Sequence, residues 1–96
     1  MLSREKILRT LREHKDEMRS RFSVNQIGLF GSYVHDAARK GSDIDLLVEF
    51  GEPTFDHYMD VKFFLERIFQ QPVDLVLADS VKPRLKPLIA QEVKYA

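Results

Sequence analysis

The stretch Asp43-Ile44-Asp45-Leu46-Leu47-Val48-Glu49-Phe50 most limits how this chain can fold. Ile44, Leu46, Leu47, Val48 and Phe50 are too many apolar residues for one face of a strand, so both faces must be covered. Two carboxylates nevertheless stand at its start, one residue apart. Alternate side chains of a strand project to the same side. Asp43 and Asp45 therefore point together, while Ile44 and Leu46 turn into the core. A second run of the same kind, Val73-Asp74-Leu75-Val76-Leu77, carries one acid among β-forming apolar residues. A buried, unpaired aspartate there would be costly. If the two strands lie side by side, Asp74 joins the other two acids.

The remaining elements follow from local chemistry. Ser3 can cap a first helix. The spacing of Ile7, Leu8, Leu11, Met18 and Phe22 gives that helix one apolar face. Arg4, Arg9, Arg12, Lys15 and Arg19 form a charged opposite face, read as a solvated surface. Val24–Phe30 reads as a strand stopped by Gly31. The stretch from Ser32 to Arg39 predicts a short helix of about two turns, ending near Lys40-Gly41. Thr54 or Asp56 can cap a helix running to about Gln70. Its wide apolar stripe holds Phe55, Phe63, Phe64 and Phe69, enough to leave aromatic surface for a partner. Pro87 marks the start of a last helix through Leu88 to Val93. The order α-β-α-β-α-β-α predicts a single α/β domain, residues 1–96, with a three-stranded mixed sheet and helices packed on it.

The 96 residues leave room for one core and no second substrate-binding domain. Acids and bases number fifteen each, which argues against a nucleic-acid substrate. No cysteine is present, so disulfides, thiolate metal sites and cysteine nucleophiles are excluded. No apolar run approaches the ~20 residues that span a bilayer, and Met1–Lys6 lacks the apolar stretch of a signal peptide. A cytoplasmic location is the default expectation. His14, His35 and His57 show no metal-ligand spacing. Tyr33 and Tyr58 could stack on a base, but packing explains them as well.

Ahead of the acids, with ten residues between it and Asp43, stands Gly31-Ser32. Gly31 removes the Cβ that would block a phosphate, and Ser32 offers a hydroxyl at the start of the expected helix, where free N–H groups and the helix dipole favour an anion. Two carboxylates held close repel each other unless a proton or cation lies between them. Mg²⁺ prefers such hard oxygen ligands, completed by phosphates and water. Three acids on neighbouring strands can hold two metal ions about 4 Å apart, which suits displacement at phosphorus. Each piece alone has a duller explanation, as a turn, a cap or a solvated pair. The combination and its order are what point to a site.

The Gly31-Ser32 turn, the Ser42–Val48 block, the Val73–Val76 strand and the ending Ile89–Ala96 together resemble the minimal nucleotidyltransferases of the DNA polymerase beta-like superfamily. That resemblance implies transfer of a nucleoside monophosphate, typically AMP from ATP, to a hydroxyl. It implies that Asp43 and Asp45 bind both Mg²⁺ ions, that Asp74 binds the catalytic one, and that Gly31 and Ser32 hold the β- and γ-phosphates. It also implies an antitoxin role beside a helical HEPN-type toxin. One stretch departs: where the family commonly has Ala-Arg-Gly, this chain has Val34-His35-Asp36. A fixed guanidinium is lost there, with Arg39 or Lys40 available to compensate. Two other readings stand beside the first. One is a non-catalytic module that neutralises its partner by occlusion. The other is an adenylyltransferase of small molecules such as aminoglycosides, which would need a homo-oligomer to build a pocket.

Overall fold

A computed structural model describes residues 2–35, 37–39 and 41–96. Asp36 and Lys40, which belong to the turn departure and its compensation, lie outside the described residues. The chain runs α1 (Arg4–Glu13), α2 (Lys15–Phe22), β1 (Val24–Phe30), β2 (Ile44–Phe50), α3 (Phe55–Phe69), β3 (Val73–Leu77), α4 (Lys86–Glu92) and β4 (Lys94–Tyr95). The sheet order is β3-β2-β1-β4. β1 is antiparallel to β2 and to β4, and β3 is parallel to β2. The sheet is mixed, as expected, but four-stranded rather than three-stranded. The added strand has only two residues, too short to leave a strand pattern in the sequence.

Local chemistry sets the boundaries. The Ser3 hydroxyl accepts the Lys6 N–H at 3.2 Å and opens α1. Thr54 opens α3 in the same way, accepting from the His57 N–H at 3.1 Å. Ser23 and Gln70 close α2 and α3 in the left-handed conformation, at φ 62 and 57. The single first helix expected from the apolar spacing is two helices, broken at His14 (φ −104, ψ 8). The His14 ring meets Phe64 of α3 edge-on at 5.5 Å, so the break is tied to a tertiary contact. Leu11 before it and Met18 after it are both fully buried.

The expected helix over residues 32–39 is absent among the described residues. Gly31–Tyr33 form one 3₁₀ turn. Beyond it the Ala37 N–H reaches the Ser32 carbonyl at 2.9 Å, and Ser42 bonds both backbone groups of Arg39. Local side-chain bonding has replaced a helix.

Register explains the two-faced burial of β2. Ile27 and Leu29 of β1 pair with Val48 and Leu46, and Ile44 and Leu46 pair with Val73 and Leu75. This face packs under α1, α2 and α3 in one core with Ile7, Leu11, Met18, Val61 and Leu65. Burying each such side chain contributes roughly 1.5–3 kcal/mol. The opposite face carries Asp45, Leu47 and Glu49. The segment after β3 covers its middle: Leu47, Ala78, Val81, Ile89, Ala90 and Tyr95 border a cavity of about 190 Å³. No helix among the described residues is long and apolar enough to cross a membrane.

Candidate active site

The acids meet where β1 ends and β2 and β3 begin. In the parallel ladder Asp45 lies directly opposite Asp74. Both therefore project from the same sheet face, away from the helical core. Asp43 lies one residue before β2 and is exposed. Asp74 is also exposed, correcting the expectation of a buried aspartate. Its strand is at the sheet edge, and its acid face is not covered there.

Asp45 is half-buried, and its carboxyl is pushed from an ordinary 3.8 up to about 6. Burial is the largest cause, followed by the negative charge of Asp74 and then by Asp43 and Glu92. Among the described residues no salt bridge supplies a cation to Asp43, Asp45 or Asp74. No three His, Cys, Asp or Glu side chains among them close into a ready-made metal cage. Mg²⁺ does not require one, because substrate phosphates and water complete its shell. Two facing carboxylates, one of them resisting ionisation because of burial and the like charges beside it, form a donor set that fits a hard divalent cation.

The shift has a testable consequence. The folded chain holds a proton on Asp45 up to about pH 6, whereas the unfolded chain releases it near its ordinary 3.8. The stabilisation from that proton is full below the unfolded value and lost as pH rises through about 6. In chelator, thermal stability of the wild type is expected to increase as pH falls across that window. The Asp45→Asn variant should show a flatter profile. Identical profiles by calorimetry would contradict the assignment.

The turn borders the acids. Phe30 pairs with Asp45 across β1 and β2, and Gly31 follows it at φ +78. A Cβ on Gly31 would overlap the Asp45 carboxylate. Glycine is needed here for backbone conformation and for clearance. Ser32 is half-buried, and no hydrogen bond among the described residues engages its hydroxyl.

Two tyrosines turn out to be structural. Tyr33 is buried and its hydroxyl donates to Gln71 Oε1 at 2.7 Å. The Tyr58 hydroxyl donates to the Leu75 carbonyl. The residue that sequence reasoning missed is Glu92. Its Oε1 accepts the Gly31 N–H at 3.0 Å, and its Oε2 lies 2.8 Å from His35 Nε2. His35, read from sequence as incidental, is the partner of that carboxylate.

A small mixed sheet that sets paired carboxylates beside a glycine turn defines a nucleotidyltransferase. The sequence matches the nucleotidyltransferase domain family over residues 11–96, and the chain belongs to that family. It is 41% identical over 96 residues to the protein adenylyltransferase MntA of Thermococcus cleftensis, covering 99% of this chain and 97% of that protein. A solved structure provisionally described as a minimal nucleotidyltransferase superposes with a TM-score of 0.80 at 32% identity, covering 97% of this chain and 95% of the other. A toxin–antitoxin crystal structure with AMP-PNP superposes with a TM-score of 0.69 at 25% identity, covering 98% and 72%.

Proposed function

We propose that this nucleotidyltransferase moves AMP from ATP onto a hydroxyl of a protein partner, and that the partner is a HEPN-type toxin which the modification silences. The observation that carries the chemistry is the register of Asp45 against Asp74 beside Gly31. The substrate class is supported by the near full-length relative named a protein adenylyltransferase, and by the toxin–antitoxin complex with AMP-PNP.

In this reading Asp43 and Asp45 hold two Mg²⁺ ions and Asp74 shares the catalytic one. When bound, these ions neutralise charge on the triphosphate and on the displaced pyrophosphate. Ser32 donates to the β- and γ-phosphates, and Gly31 supplies the clearance that lets them approach. The acceptor oxygen attacks the α-phosphorus, its proton passes to Asp74, and the bond to the bridging oxygen of pyrophosphate breaks. Exposed Phe55, Phe63 and Leu88 are 76%, 54% and 62% accessible and offer apolar contact area for a protein partner. Equal numbers of acidic and basic residues argue against nucleic acid as the acceptor.

ATP labelled at the α-phosphate, Mg²⁺ and the purified toxin test the reading. Label is expected to join the toxin covalently and to stay off it in chelator. Toxin neutralised with no label attached would instead establish occlusion. Label in a small-molecule fraction would establish the aminoglycoside-like reading.

A further inference from the structure

Glu92 breaks a local rule. It is the last residue of α4, where the helix dipole favours a cation, and no basic residue occupies that turn. Its side chain is only 28% exposed. A carboxylate kept there against the dipole needs a compensating gain, and its two oxygens show where the gain lies: one on the Gly31 N–H, the other on His35.

Neither partner is close in sequence, and the sheet edge brings them together. β4 pairs with β1 so that Leu29 faces Lys94 and Gly28 faces Tyr95. The ladder begins two residues after Glu92, which ends α4, and from there the Glu92 side chain reaches back to the Gly31 N–H. Gly28 permits that edge to form. A Cβ at position 28 would come within 2.7 Å of Val93 Cγ2 and 2.9 Å of Tyr95 Cδ1. The Ala96 N–H adds a bond to the Ile27 carbonyl at 3.0 Å. A small residue at 28, a two-residue strand and a misplaced carboxylate thus serve one contact.

That contact acts on the most sensitive point of the site. Gly31 sits at φ +78, and a Cβ there would overlap the Asp45 carboxylate, so the turn lies directly against Asp45. Its N–H is engaged by Glu92, whereas no hydrogen bond among the described residues engages the Ser32 hydroxyl. His35 stands where the resemblance expects a guanidinium, and its ring pairs with the carboxylate at that position.

We propose that Glu92, braced by His35, is a positioning residue that locks the Gly31 turn in the shape where Ser32 meets nucleotide phosphates and Asp45 faces the cation. This rests on the nucleotide-site reading above. The lock itself is measurable without catalysis, through hydrogen exchange of the Gly31 amide. Glu92→Ala removes both contacts, whereas Glu92→Gln keeps an oxygen for the Gly31 N–H and loses the charge facing His35.

In Glu92→Ala, the Gly31 amide is expected to exchange about tenfold faster and KM for ATP to rise about tenfold, the size of one lost charge-assisted hydrogen bond. kcat should change less than KM, and Glu92→Gln should fall between wild type and alanine in both measurements. Unchanged exchange and unchanged KM in Glu92→Ala would overturn the proposal. So would a lower KM, which would make Glu92 a competitor for the phosphate seat. If Asp45→Asn transfers AMP as well as wild type while Glu92→Ala still accelerates Gly31 exchange, the lock stands and its assignment to nucleotide falls.

Discussion

Replacing Asp45 by Asn is expected to cut AMP transfer by about a thousandfold or more while leaving the fold intact, and to raise the thermal midpoint in chelator. The kinetic loss follows from position. Asp45 faces Asp74 in register and feels the charge of Asp43, so any cation bridging these acids must be held by it. Metal neutralisation of transition-state charge is worth several kcal/mol, and each 1.36 kcal/mol is tenfold in rate. The stability gain follows from the same cluster. A half-buried carboxylate pushed to about 6 is held ionised against burial and like charge, and an amide of equal size removes both costs at neutral pH. Initial rates with labelled ATP and a melting curve check the two halves. Transfer within tenfold of wild type would remove Asp45 from the metal site.

Gly31→Ala is expected to be the most damaging single methyl group in the chain. Two effects add. A left-handed backbone costs an alanine roughly 1–2 kcal/mol. The new Cβ also overlaps the Asp45 carboxylate, which must move or push the turn away. Displacing a metal-binding group by about 1 Å can cost a hundredfold in rate. A control separates strain from displacement. Gly41 has a similar φ of +86, but a Cβ there meets nothing within 4 Å. Gly41→Ala should lose comparable stability and keep its transfer rate, whereas Gly31→Ala should lose both. Equal transfer rates in the two variants would show that the clearance beside Asp45 does not matter.

These effects trace to residues whose roles differ in how openly the sequence declares them. The β1 boundaries, the span of α3 under its Thr54 cap and the two-sided burial of β2 were readable, because each rests on runs of apolar residues ended by glycine, threonine or proline. Asp74 was readable only as a condition. Its neighbour depended on which strands pair, and its exposure depended on β3 being an edge. The turn after Ser32 misled because an alanine pair resembles a helix, while serine and backbone bonds settled it as linked turns. β4 and the break at His14 were invisible, since both are consequences of tertiary contact. Glu92 left one faint trace, an acid in the last turn of a helix where a base belongs. Its meaning appears only when β1 and β4 are paired and the Glu92 carboxylate is found on the Gly31 N–H.

The central claim is that Asp43, Asp45 and Asp74 bind divalent cations together with nucleotide beside Ser32. Anomalous diffraction from crystals grown with Mn²⁺ and a non-hydrolysable ATP analogue tests it most directly. The account predicts metal density within about 2.2 Å of oxygens from these carboxylates, bridging to the triphosphate next to the turn. Nucleotide and metal bound elsewhere, with the three carboxylates free of the ion, would contradict it.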